Sequence, residues 1–184
     1  TGIVENKYVQ GYYDYFDTLI EAFPDMVIDT CASGGGRLDL ETLRRAVPLH
    51  RTDYSVDYSD ATQAATQALS NWIPFSGQPM NQAMDANFDA YRIRSTYAPS
   101  ITLNWDYRKD DQDWEQLKAL VDELRMVQKY YYNDYYELLP YNNNDNQWKG
   151  WQFIDSANNE GVIQVFCPQN ATELEKTIKL YGLN

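Results

Sequence analysis

The sequence predicts an α/β chain in two parts, half of a (β/α)8 barrel followed by part of an antiparallel β domain. Three observations carry that reading. Over the first two-thirds of the chain, short apolar runs alternate about four times with stretches of helical periodicity, the pattern of βαβ units on a parallel sheet. Those runs are short and end on polar or small residues, as barrel strands do. After Tyr132 the periodicity changes to a rough alternation of two, which belongs to antiparallel strands.

The elements follow in order. Val9, Tyr12, Phe16, Ile20 and Phe23 recur at helical spacing, and Pro24 stops that helix. Residues 26–30, MVIDT, form a first buried-type strand, and a glycine loop follows it. Asp39 can cap a helix reaching about Ala46, ended by Pro48. Residues 48–53, PLHRTD, are the second extended piece. Ser59 or Asp60 caps a helix whose inner face is Ala61, Ala64, Ala65, Ala68, Leu69 and Trp72. Residues 73–77, IPFSG, form a third strand, and Asp85 opens a helix carrying Phe88, Tyr91 and Tyr97. Residues 100–105, SITLNW, form the fourth strand. The longest helix starts near Asp113 and buries Trp114, Leu117, Leu120, Val121, Leu124 and Val127, with Asp113 and Gln116 at capping-box spacing. A complete barrel needs about 250 residues and eight strands, so four strand–helix pairs make half of one. In the remainder, residues 141–147 are a polar loop, and the runs WKGWQF, GVIQVFC and TIKLYGL read as strands. Without an initiator Met, and ending on three strands, the chain reads as a piece cut at both ends.

Composition narrows the partners. A formal net charge of −12 disfavours nucleic acid and anionic membranes, because phosphate binding draws on Lys and Arg. No apolar run is long enough to span a bilayer, and the first residues form no signal peptide. Cys31 and Cys167 make no disulfide framework, and a single histidine, His50, leaves no zinc set. Sixteen tyrosines suit core packing with wet phenol tips, and also suit carbohydrate.

In such barrels, functional residues sit at the C-terminal tips of strands. The loop at residues 31–37, CASGGGR, lies at the first tip and Asp53 at the second. Gly34, Gly35 and Gly36 let main chain approach a ligand where a Cβ would clash. The plainer readings stand beside this one. A triple glycine also makes a turn or a helix entry, and it fits neither the Walker nor the dinucleotide spacing. Cys31 can be a small buried hydrophobe. Arg37 can pair with Asp29 or Asp39, Asp53 can be a loop acid, and His50 can be a core or helix contact. Asp57, Asp60 and Asp85 look like helix caps.

The run DTCASGGGRLDLETL with the later Arg-Thr-Asp resembles the alpha-galactosidases of glycoside hydrolase family 36. That family carries Cys-x-Ser-Gly-Gly-Gly-Arg-x-Asp after its fifth barrel strand and a Ser/Thr-Asp at the end of its sixth. The resemblance covers essentially the whole chain. It implies the C-terminal half of a (β/α)8 TIM barrel over residues 1–131 and the start of a C-terminal antiparallel β-sandwich domain over residues 132–184. It further implies Asp53 as general acid/base, and Cys31, Ser33, Gly34 and Arg37 as substrate-binding residues. The substrate would be an α-galactoside oligosaccharide, and no metal or cofactor is needed. The family's nucleophilic aspartate lies on the fourth strand, upstream of Thr1, so this chain alone is expected to be inactive. An α-N-acetylgalactosaminidase shares the scaffold. A non-catalytic sugar-binding half-barrel, pairing with a second copy as a homo-oligomer, is the reading from another class. The bacterial relatives point to a cytoplasmic location.

Overall fold

The computed structural model describes residues 2–54, 59–80, 89–104, 106–108, 110 and 113–183. Helix α1 spans Gly2–Ala22, and at 21 residues it exceeds the 15 of the last helix, which the sequence made the longest. Its face of Val9, Tyr12, Phe16 and Ile20 is only half-buried. It is tied to the turn after helix α2, Leu40–Leu43, by Arg45, whose guanidinium donates to Asp17 at 2.6 and 2.8 Å. Asp39 caps α2 by accepting the Thr42 amide. The helix stops short of the expected Ala46, because the Val47 amide donates to the Ile28 carbonyl at 2.8 Å and so joins the strand layer.

That layer holds four consecutive extended segments, and only the last two are regular strands. β1, Gly77–Met80, pairs in parallel with β2, Ser100–Leu103. The first expected strand reduces to a single parallel bridge between Asp29 and Val47, one residue before the second expected piece. Gly77 N to Pro48 O (2.7 Å) and Arg51 N to Gly77 O (3.0 Å) tie the second segment to β1. The third strand starts later than residues 73–77 suggested. The Trp72 and Ile73 amides both donate to the Leu69 carbonyl, which ties residue 73 to the turn that closes the preceding helix.

That helix, α3, spans Ser59–Leu69. It turns the other way from expectation: Thr62, Gln63, Thr66 and Gln67 are buried with Ala64, while Ala61, Ala65 and Ala68 face a groove, and Trp72 is 48% exposed. α4, Ala90–Ser95, is capped by Asp89; Asp85 and Phe88, on which the sequence placed its start, lie outside the described residues. α5, Trp114–Gln128, is capped by Asp113, which accepts the Gln116 amide at 3.0 Å, and it buries Leu117, Leu120 and Leu124. Trp114, expected on that face, is 43% exposed.

A 3-10 turn, Lys129–Tyr132, leads into an antiparallel sheet of β3, Asp134–Glu137, β4, Lys149–Asp155, and β5, Glu160–Phe166, in that order. The Tyr-rich β3 was not apparent from the sequence. Residues 177–183 form no strand. There the Tyr181 amide and carbonyl bond the Gln152 side chain instead of a neighbouring main chain. Trp151, Phe153, Phe166 and Tyr131 share one buried cluster with Met80, Ile93, Tyr97 and the α5 leucines, so sheet and barrel helices close on a common core. The α/β class read from the sequence is the observed one.

Candidate functional site

The glycine loop begins where Thr30 leaves the strand layer. Ser33 and Gly34 both take positive φ, 47° and 69°, and the Gly36 amide closes a tight turn on the Ala32 carbonyl at 2.9 Å. Gly34 has no room for a side chain. A Cβ there would sit 2.5 Å from the Asp53 nitrogen and 2.5 Å from the Thr52 Cα. The space that glycine leaves free is therefore filled by the next strand tip, where the sequence argument placed a ligand. The loop and the Asp53 tip are packed main chain to main chain.

Together they line a hollow of about 480 Å³ through Ser33, Gly35, Gly36, Thr52, Asp53 and Tyr54. Among the described residues lining it, Asp53 is the only carboxylate. The Asp53 side chain is 64% exposed, and its Oδ1 lies 3.4 Å from His50 Nε2. His50 thus stands beside the acid, where the sequence reading had placed a core or helix contact. An imidazole so placed can donate a hydrogen bond to the carboxylate.

Arg51 also lines the hollow, although it is almost wholly buried at 2% exposure. Its guanidinium donates to Gln78 Oε1 (3.1 Å), Ser76 Oγ (3.1 Å) and Thr66 Oγ1 (2.5 Å). Burial pulls its pKa down to about 10, since removal from water disfavours the charged form. Gln78 Nε2 in turn donates to the Tyr54 carbonyl at 2.7 Å. Asp53 is therefore bracketed on both sides by a buried polar chain that joins three elements. Sequence reasoning missed Arg51 in this role. The signal available to it was a cation at the end of the short apolar run 47–49, among His50, Thr52 and Asp53.

The remaining candidates among the described residues do not line the hollow. Cys31 is exposed, and its carbonyl accepts from Arg37 Nη1 at 3.4 Å. The Arg37 guanidinium lies 5.1 Å from the Tyr12 ring centre, so it faces α1 and not Asp29 or Asp39. Asp29 instead accepts the Leu49 amide at 3.0 Å. Asp39, besides capping α2, accepts the Tyr13 hydroxyl at 3.0 Å. Asp57 lies outside the described residues. No metal-binding cluster of His, Cys, Asp or Glu occurs among the described residues, and none of their helices is long and apolar enough to cross a membrane.

No family model matches the chain. Alpha-galactosidase Mel36A of Lactobacillus acidophilus is 21% identical over 175 residues, covering 89% of this chain and 23% of that protein. Alpha-galactosidase C of Emericella nidulans is 25% identical over 190 residues, covering 98% of this chain and 25% of that protein. An alpha-galactosidase of Escherichia coli is 42% identical over 88 residues, covering 47% of this chain and 11% of that protein. The chain thus spans about a quarter or less of the length of these relatives. The crystal structure of the alpha-galactosidase from Lactobacillus brevis matches its fold with a TM-score of 0.72 at 20% identity, covering 97% of this chain and 25% of that one. The chain is similar to alpha-galactosidases in both sequence and fold.

Proposed function

We propose that this chain supplies the acid/base side of a retaining alpha-galactosidase that removes terminal α-linked galactose from oligosaccharides such as melibiose and raffinose. On this reading residues 1–131 are the second half of the catalytic barrel and residues 132–184 begin its β domain. The observation that carries the proposal is the shared hollow of Asp53 and the glycine loop, supported by the similarity to alpha-galactosidases. A retaining mechanism needs two carboxyl groups about 5–5.5 Å apart. Asp53 is one, and the nucleophile comes from outside these 184 residues. The hollow agrees with that division, since its described lining offers no second carboxylate.

In the first step the nucleophile attacks the anomeric carbon while Asp53 gives its proton to the leaving glycosidic oxygen. In the second, the Asp53 carboxylate takes a proton from water, which attacks the same carbon and frees the nucleophile. Of the four residues the resemblance implies for the sugar, Ser33 lines the hollow and holds it there; Gly34 acts by admitting the Asp53 tip, and Cys31 and Arg37 stand outside the lining. A hexose over the hollow would exclude water from the reacting groups. Two carboxyls and water complete the chemistry.

The test is a comparison of leaving groups in an enzyme that joins this chain to a nucleophile-bearing segment. Asp53→Ala is expected to slow melibiose hydrolysis by roughly 10²–10⁴-fold, the usual worth of general acid catalysis. Galactosyl transfer from a nitrophenyl galactoside, whose leaving group needs little acid help, should suffer far less. Equal losses on both substrates would count against the acid role. The 184-residue chain by itself is expected to show no turnover of the nitrophenyl substrate.

A further inference from the structure

We infer that Lys149, on the antiparallel sheet, is a positioning residue for the acid/base strand tip, acting through helix α3; the inference rests on the reading of Asp53 given above. The Lys149 side chain is 0% exposed. Its Nζ donates to the Asn144 carbonyl at 2.7 Å and to Asp60 Oδ1 at 3.3 Å. Asp60 stands in the first turn of α3, where a carboxylate also meets the positive end of the helix. The far end of α3 is held from the same side of the molecule. Gln67 Nε2 donates to the Leu139 carbonyl at 2.5 Å, and the Tyr135 hydroxyl donates to the Gln67 carbonyl at 2.8 Å. Sheet-side residues therefore fix α3 at both ends.

Between those two anchors, Thr66 Oγ1 receives Arg51 Nη2, and Arg51 precedes Asp53 by a single residue, Thr52. Gln78 continues the chain from Arg51 to the carbonyl of Tyr54, on the other side of Asp53. The route from sheet to carboxylate runs from the Lys149–Asp60 pair at 3.3 Å along the turns of α3 to Thr66, and from there through the Arg51 and Gln78 hydrogen bonds. A buried lysine whose partner carboxylate is half-exposed is a poor choice for stability alone, because an apolar side chain of similar volume often does as well or better in such a place. What a directional pair adds is a defined position for the helix start. A displaced α3 would carry Arg51 with it, and a misplacement on the order of 1 Å at a reacting group can cost about a hundredfold in rate.

The experiment uses the same two substrates in the enzyme carrying this chain, with Asp53→Ala as reference. Lys149→Met keeps the volume and removes the charge. It is expected to slow melibiose hydrolysis by roughly 10- to 100-fold, with little change for the nitrophenyl galactoside, and to displace the limb of the pH–rate profile that reports the acid. Lys149→Arg should recover most of the loss. Amide exchange over α3 should quicken in Lys149→Met and not in Lys149→Arg. Should Lys149→Met fail to fold, Asp60→Asn at the half-exposed end of the pair takes its place, with the same selectivity expected. If Asp53→Ala spares the nitrophenyl substrate but both pair variants lose the two activities in equal measure, Lys149 is merely structural and the inference fails alone. If Asp53→Ala is itself unselective, the acid/base reading falls first.

Discussion

Replacing Gly34 by alanine tests the packing that joins the glycine loop to the Asp53 tip. Gly34 is buried and sits at φ +69°. Forcing an L-residue into that region costs roughly 1–2 kcal/mol. The new methyl would also lie 2.5 Å from the Asp53 nitrogen and 2.7 Å from the Thr52 carbonyl carbon. These are main-chain atoms that no rotamer change can clear, and overpacking of that kind costs about 1–3 kcal/mol. The sum is about 2–5 kcal/mol. At this chain length each kcal/mol moves the melting temperature by about 2–4 °C, so Gly34→Ala should melt about 4–20 °C lower. Relief requires the Thr52–Asp53 main chain to move, which would displace the carboxylate and slow hydrolysis in the enzyme beyond any loss of folded protein. Gly35→Ala is the control, with its Cβ 3.1 Å from the Arg51 carbonyl and an ordinary φ. It should cost visibly less. Thermal melts by circular dichroism and melibiose rates decide the matter: a Gly34→Ala variant that melts and works like its parent would refute the main-chain contact.

Three further outcomes are expected. Gln164 Oε1 accepts both the Tyr131 hydroxyl and the Trp151 indole N–H, each at 2.9 Å. Gln164→Leu therefore strands two buried donors at about 1–3 kcal/mol each, whereas Tyr131→Phe should cost only about 1 kcal/mol; urea midpoints that rank the two variants equally would contradict this. The Asp17 carboxyl lies below its ordinary 3.8 because Arg45 donates to it. For Asp39, burial pushes upward but hydrogen bonds from the Thr42 hydroxyl and amide outweigh it, so that carboxyl is lowered too. Carboxyls lowered by folding stabilise fully above about pH 4 and lose that contribution as the pH falls through their folded values. The gap in melting temperature between the parent and Arg45→Met should accordingly be wider at pH 6 than at pH 3, and an unchanged gap would remove the ion pair from the account. Gly11 lies inside α1 with nothing within 4 Å of its missing Cβ, so Gly11→Ala should gain about 0.5–1 kcal/mol, seen as a higher melting temperature.

Local signals were legible in the sequence where one residue sets one piece of geometry. Asp113 with Gln116 marked the start of α5, and the spacing of the glycine run and Asp53 placed both at neighbouring strand tips around one hollow. Elements that draw their stability from distant partners were not legible. Residues 26–30 look like a strand, but only one bridge forms there. Residues 177–183 alternate as a strand should, yet their hydrogen bonds go to a glutamine side chain. β3 was hidden because Tyr135 and Tyr136 continue a tyrosine run that starts inside the preceding turn, and nothing local separates the two.

Helix α3 shows why a correct helix can still be turned the wrong way. Its alanines recur at helical spacing, but so do Thr62, Gln63, Thr66 and Gln67 on the opposite side, and apolarity alone favours burying the first set. The second set is buried because the surface it meets is itself polar: the Arg51 guanidinium, the Ser95 hydroxyl and the Leu139 carbonyl each need a partner there. Leaving a buried polar group unmet costs more than exposing a few alanine methyls does. A methyl is small, and the penalty for an orphaned guanidinium is large. The orientation of α3 is thus decided by Arg51 on another element, and the alanine face is left to line a groove of about 1060 Å³ that extends from Tyr54 toward Tyr141 and Cys167. A stripe of Thr and Gln at helical spacing, in a chain with a cation embedded in an extended segment, is therefore evidence for a buried polar seam. Here that seam holds the candidate acid in place.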